Sequence, residues 1–288
     1  GQCMLLENLR FHPGEEKNDP EFARALASLA EVFVNDGFAV AHRAHASTEG
    51  VTHYLPAVAG LLMERELEVL GSVLESPERP LVTVLGGAKV SDKIGVLENF
   101  VEIVDALLIG GGMAATFLKA RGLPVGSSRV EENRLEFARS VMARAAEKGV
   151  SLRLPEDVVI ADAIGPGAKS RTVAVKDVPG GWHIVDIGPR TLEIFKKEMS
   201  RGKTVLWNGP MGVFEIPSFA EGTRGIAEAL AGLENATTVV GGGSTAEAVN
   251  SLGLAEKLDH VSTGGGASLD FLGGKILPGV ATLLNRSV

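Results

Sequence analysis

The sequence predicts an α/β protein built on parallel sheet. Three observations predict it: apolar runs without polar alternation, helix-like stretches between them, and glycine clusters where the runs end. Runs rich in Val, Ile and Leu that lack alternation read as strands buried on both faces, the pattern of parallel sheets covered by helices.

Taken in order, MLLEN (4–8) is strand-like, EFARALASLAE (21–31) is helical and VFVND (32–36) is a strand. LLMERELEVLGSVLES (61–76) carries apolar residues at helical spacing, and the prolines of ESPERP end it. It reads as a helix joining two lobes; the alternative is one more covering helix in a continuous sheet. LVTVLGG (81–87) then precedes SDKIGVLENFVEIV (91–104), and ALLIGGG (106–112) precedes MAATFLKA. KTVLWNGP (203–210) leads to PSFAEGTRGIAEALAGL (217–233), TTVVGGG (237–243) to STAEAVNSLG, and HVSTGGG (260–266) to a short final segment.

Five of these strands run straight into a glycine-bearing turn: GGAK, GGGMA, NGPMG, GGGST and GGGAS. In an open parallel sheet such turns share the carboxyl edge, where ligands bind. Glycine permits close backbone approach, and the helix that follows aims unpaired N–H groups at negative charge. A phosphate or nucleotide site is therefore expected. GGAKVSDK does not fit a P-loop, and Ala115 stands where a dinucleotide fingerprint needs its third glycine. His42 and His45 lack the carboxylate and third ligand of a zinc site.

A net charge of −8, with no Lys/Arg run longer than two, argues against nucleic acid as a partner. One cysteine, Cys3, excludes an internal disulfide and fits a reducing compartment. No apolar stretch reaches the roughly 20 residues of a membrane span. GQCMLLENLRF has no adequate apolar core for a signal peptide, and Leu5 spoils a myristoylation motif. The chain opens on Gly and is apolar within four residues, as a chain entered midway would be.

ENLRFHPGEE (7–16), FVNDGFAVAHRAHAS (33–47), LGGAKVSDKI (85–94), LLIGGGMAATFLKA (107–120), DIGPRT (186–191), VLWNGPMGVFE (205–215) and VSTGGGASLDFL (261–272) resemble, in order, segments of the phosphoglycerate kinases. The resemblance covers essentially the whole chain. It implies an α/β fold of two lobes, each a Rossmann-like parallel sheet flanked by helices, with the first lobe incomplete. The implied division is 1–61 for the remaining 3-phosphoglycerate lobe, 62–77 for an interdomain helix and 78–270 for the nucleotide lobe. A tail, 271–288, would return to the first lobe. The implied reaction is glycolytic: phosphoryl transfer between 1,3-bisphosphoglycerate and ADP, giving 3-phosphoglycerate and ATP with Mg²⁺. A monomer in the cytoplasm is expected.

By similarity Lys93 would hold nucleotide phosphates and Lys89 the group in transfer; their i,i+4 spacing puts both on one helix face if the helix starts that early. Gly87, Gly111, Gly112, Asn208 and Pro210 would line the base and sugar slot, which Ile184 would crowd. Glu215 would bind ribose, and Gly264, Gly265 and Gly266 would offer N–H groups to the transferring phosphoryl. Gly242, Gly243, Ser244 and Thr245 would bind nucleotide. Ser244 replaces the family's Mg²⁺-holding Asp, so metal binding should be weaker, with Glu247 the nearest substitute. S-T-A-E (244–247) also reads as a capping box with Ser244 at the N-cap. Arg10 and Arg43 match positions that bind substrate phosphate or carboxylate, with Ala39-Val40 replacing the family's Gly-Thr beside Arg43. The alternative is a remnant that binds MgADP without useful turnover, because positioning of the sugar acid would be lost.

Overall fold

In the computed structural model, which describes residues 1–283, the chain begins with two short helices, α1 (Pro13–Glu16) and α2 (Pro20–Ala27). Asp19 starts α2, since its carboxylate accepts the Phe22 N–H at 2.9 Å and Pro20 occupies the first helical position. Strands β1 (Phe33–Asn35) and β2 (Ala57–Ala59) pair in parallel as a separate two-stranded sheet. Helix α3 (Leu61–Glu75) follows, burying Met63, Glu66, Val69, Leu70 and Val73 along one stripe. Residues 4–8 do not form the expected strand. No other strand pairs with them among the described residues, and Leu5 is 97% exposed.

Beyond α3 come β3 (Leu81–Leu85), α4 (Ile94–Ile103), β4 (Ala106–Ile109), α5 (Met113–Ala120), α6 (Leu135–Lys148) and β5 (Ser151–Arg153). Then follow β6 (Asp157–Ala161), β7 (Ser170–Ala174), β8 (His183–Ile187), α7 (Pro189–Met199), β9 (Thr204–Asn208) and α8 (Glu221–Ala231). The chain continues through β10 (Thr237–Gly241), α9 (Gly243–Ser251), β11 (His260–Val261), α10 (Gly266–Leu272) and α11 (Pro278–Ala281). Six strands form one parallel sheet in the order β11-β10-β9-β3-β4-β5.

The doubly buried runs pack as their composition requires. In β3, Leu81 and Leu85 join a cluster with Phe100, Met113 and Phe117 from α4 and α5, whereas Val82 and Val84 join Phe195, Met199, Ile226 and Leu230 from α7 and α8. One strand thus feeds two apolar layers, and each such side chain contributes about 1.5–3 kcal/mol when fully buried. A three-stranded antiparallel sheet, β7-β6-β8, adds to the parallel architecture and was not expected from the sequence.

The strand order decides where a ligand can sit. From β3 the chain crosses through α4 to β4 on one side; from β9 it crosses through α8 to β10 on the other. Adjacent β3 and β9 are therefore the point where the winding reverses, and a crevice opens beyond their carboxyl ends. Near the C-terminus the chain meets the β1 region: Asn35 Nδ2 donates to Gly279 O at 2.9 Å, and Gly279 N–H donates to Ala41 O at 2.9 Å. The last five residues of the expected tail, 284–288, lie outside the described residues. No helix among the described residues is long and apolar enough to cross a membrane.

Candidate functional site

Two adjoining cavities lie at the reversal point and share Gly87 and Ala88. They differ in chemistry. One, of about 360 Å³, is lined by Lys89, Lys93, Asn208 and the turns that open α9 and α10. The other, of about 290 Å³, is largely apolar, with Ile164, Ile184, Val185 and Val213 in its wall and Glu215 at its rim.

The backbone at the shared edge needs glycine. Gly87 has φ +96°, and a Cβ on Gly86 would come within 2.3 Å of the Pro210 carbonyl. That closeness lets Gly86 N–H donate to Asn208 O and Gly87 N–H donate to Pro210 O, both at 2.9 Å. The ends of β3 and β9 are thereby stitched together under the cavities.

In the larger cavity Lys93 is only 6% exposed, and its ammonium donates to Asn208 Oδ1. Burial pulls its pKa down from the usual lysine value to about 8, against a smaller opposing effect of Asp92. Asn208 is itself 1% exposed, and its Nδ2 group has no acceptor among the described residues. A buried donor without a partner costs free energy, so these groups together call for an acceptor-rich ligand. More donors converge there. Helix α9 opens at Gly243 after Gly242, whose φ is +90°, and no side chain caps it. Gly265 and Gly266 reach the same cavity.

The structure thus brings Gly87, Lys89, Lys93, Asn208, Gly242, Gly243, Ser244, Gly265 and Gly266 to one cavity, and Gly87, Gly111, Gly112, Pro210 and Glu215 to the other. Ile184 lines the second cavity as well. Gly264 and Thr245 stand behind the surface. Gly264 is buried against Ser268 and Phe38, and Thr245 Oγ1 accepts the Gly209 N–H at 2.7 Å. Arg10 and Arg43 line neither cavity; Arg10 lies 3.9 Å from Glu16, and Arg43 is exposed beside His42. The His42 ring packs on Gly266, where a Cβ would lie 3.3 Å from Nε2. Burial and then Arg43 hold its pKa below the ordinary histidine range.

Two local expectations fail. Lys89 and Lys93 do not share a helix face, because residues 91–93 form a 3-10 turn and α4 starts only at Ile94. The capping box is absent: α9 starts at Gly243, so Ser244 is its second residue and makes no capping bond. Glu247 does not line the cavity; the carboxylate that does is Asp92.

Sequence reasoning missed several wall residues, among them Ser128, Arg129, His183 and Asp186. Asp186 is the most constrained. Its carboxylate accepts the N–H groups of Ile187 at 2.8 Å and Gly222 at 2.7 Å, and burial pushes its pKa up to about 7. Its glycine-rich surroundings were the available signal, since a Cβ on Gly212 or Gly222 would strike this carboxylate.

A family model for phosphoglycerate kinase matches residues 1–275. The phosphoglycerate kinase of Chloroflexus aurantiacus (strain ATCC 29366 / DSM 635 / J-10-fl) is 59% identical over 285 residues, a match covering 98% of this chain and 71% of that protein. The Acaryochloris marina (strain MBIC 11017) enzyme is 57% identical over 286 residues, with the same two coverages. The solved phosphoglycerate kinase of Coxiella burnetii superposes with a TM-score of 0.93 at 47% identity, over 100% of this chain and 74% of that one. That of Pyrococcus horikoshii OT3 superposes with a TM-score of 0.83 at 33% identity, over 96% and 71%.

Proposed function

The chain belongs to the phosphoglycerate kinase family, and from that premise we propose that its paired cavities hold a nucleotide for phosphoryl transfer between 1,3-bisphosphoglycerate and ADP. The observation that carries this reading is the buried Asn208–Lys93 pair, with an amide donor left over, facing a cavity whose other donors are helix-opening N–H groups. Such a set suits phosphate oxygens. The apolar neighbour suits a base, with Glu215 placed to accept from ribose hydroxyls.

In this reading Lys93 and Asn208 hold the nucleotide phosphates, while Lys89 and the Gly264–Gly266 turn meet the moving phosphoryl. Arg10 and Arg43 bind the sugar acid from the first lobe, residues 1–61, with 62–77 joining it to the nucleotide lobe, 78–270, and 271–288 returning. Acceptor 3-phosphoglycerate attacks through a carboxylate that is already ionised at neutral pH. No general base is needed, and the work reduces to positioning and charge neutralisation.

Mg²⁺ supplies positive charge that draws electron density from the phosphates in transfer. Among the described residues no cluster of three or more His, Cys, Asp or Glu side chains forms a metal cage. The hard oxygen donors lining the larger cavity include the Ser244 hydroxyl and the Asp92 carboxylate, a set that fits a cation carried on nucleotide oxygens. Ser244 adds no charge. Replacing it with Asp should tighten MgADP binding about tenfold while leaving metal-free ADP unimproved, because a carboxylate attracts the cation and repels the bare phosphates. Calorimetric titration of both proteins with and without Mg²⁺ checks this, and unchanged Mg²⁺ dependence rejects it.

The whole reading is tested by ADP binding and by ATP formation from 1,3-bisphosphoglycerate in a coupled assay. Turnover of roughly 1–100 s⁻¹ supports it. Tight MgADP binding without turnover favours the second reading, a nucleotide-binding remnant. No nucleotide binding removes both.

A further inference from the structure

The loop that carries Lys89 and Lys93 is not held by its own sequence. Val90 precedes the 3-10 turn at 91–93 and Lys93 precedes α4, and neither supplies a side-chain cap. Two N–H groups at the opening of a turn therefore need an acceptor from elsewhere. Glu131, forty residues further along, provides it: its Oε2 accepts the Val90 N–H at 2.6 Å and the Ser91 N–H at 3.1 Å.

Glu131 is in turn anchored. Its own N–H donates to Thr116 Oγ1 of α5 at 3.2 Å, and Thr116 is 2% exposed. Three residues earlier, Ser128 Oγ accepts the Ile184 N–H at 2.8 Å, and Ser128, Arg129 and Ile184 all line the apolar cavity. One short stretch, 128–131, thus touches the wall of one cavity and grips the lysine loop of the other. The carboxylate is held below its ordinary range: burial pushes it up, but hydrogen bonds from Ser91 and Val90 more than offset this.

We infer that Glu131 is a positioning residue for phosphate binding, its carboxylate fixing the 87–93 loop so that Lys89 and Lys93 face the cavity and tying that loop to the wall of the base cavity. The inference rests on the nucleotide reading above. It concerns reach rather than charge, because a single oxygen accepts both N–H groups and a neutral amide oxygen at the same distance can do the same. Aspartate keeps the charge but is one methylene too short.

These properties separate the variants. With the full chain and Mg²⁺ at pH 7, ADP affinity is measured by calorimetry and adenosine affinity by NMR titration. Glu131→Ala and Glu131→Asp should each weaken ADP by about tenfold and leave adenosine within twofold, while Glu131→Gln stays within about threefold of wild type for both. A merely structural role would lower thermal stability without separating ADP from adenosine. Unchanged ADP affinity in the Ala and Asp variants overturns the inference, as does equal weakening of ADP and adenosine. A Gln variant as weak as Asp overturns it too, since charge would then be the requirement. If Glu131→Ala does not fold, the Asp and Gln pair decides. Failure of the wild-type chain to bind either ligand instead removes the nucleotide reading, and the inference with it.

Discussion

Replacing Lys93 with methionine should make the unliganded protein more stable and its hold on ADP about a hundred-fold weaker. The two effects share one cause. Lys93 is charged at neutral pH although it is almost fully buried, and the drop of its pKa from 10.5 to about 8 corresponds to about 3 kcal/mol of unfavourable burial. Because the folded value lies below the unfolded one, the penalty is complete below pH 8 and disappears as pH rises toward 10.5. Methionine has a similar shape and no charge. Its cost is a bare Asn208 Oδ1, about 1–2 kcal/mol, so a net gain of about 1 kcal/mol should remain. A bound polyphosphate supplies far more counter-charge than the small effect of Asp92 provides, and loss of that charge-assisted bond is worth about 2–3 kcal/mol. Wild-type affinity should therefore fall as pH rises through 8, by up to about tenfold per unit, and the variant should not share that slope. Urea midpoints and ADP titrations at pH 7 and pH 9 measure all of this. A destabilised variant that binds ADP normally would refute it.

That buried cation was visible in the sequence only as one of two lysines after a glycine pair, and the reason shows what can be read from a chain. Leu81–Leu85 and Ala106–Ile109 were legible as strands because burial on both faces removes the polar positions from a run. The glycine turns were legible for a different local reason: a positive φ at Gly87 or Gly242 leaves a compositional mark. Interactions between distant segments leave none. Lys89 and Lys93 have helical spacing but sit on a loop whose cap, Glu131, comes from another part of the chain. S-T-A-E matches a local capping pattern, yet Gly242 turns the backbone early enough for α9 to begin one residue before Ser244. Strand β7 passed unnoticed because SRTVA is partly exposed and pairs on one edge only, which dilutes its apolar signal. The order β9-β3, which creates the crevice, depends on contacts more than a hundred residues apart and has no local signature.

Truncating Glu66 to alanine should cost about 2–3 kcal/mol, the expected loss when a buried carboxylate that accepts several hydrogen bonds is removed. Glu66 is 1% exposed on α3 and reaches across to the segment that precedes α10. Its Oε2 lies 2.9 Å from His260 Nε2, and its Oε1 accepts both the N–H and the hydroxyl of Thr263 at 2.6 and 2.8 Å. Thr263 directly precedes the Gly264–Gly266 turn, so α3 holds that turn in place through one carboxylate. Burial alone would raise the Glu66 pKa, but the bonds from His260 and Thr263 outweigh it and leave the carboxyl below its ordinary value. Its contribution is therefore present above the unfolded glutamate pKa and lost as pH falls through the lowered one. Glu66→Gln keeps an acceptor for Thr263 and should cost less than the alanine change, about 1–2 kcal/mol, with a shallower acid limb. Urea unfolding at pH 7 and pH 4 separates the two: the gap between wild type and Glu66→Gln should narrow at the lower pH. If alanine costs under 1 kcal/mol, the link from α3 to the glycine turn contributes little, and the placement of that turn must come from the packing of Gly264 against Phe38 instead.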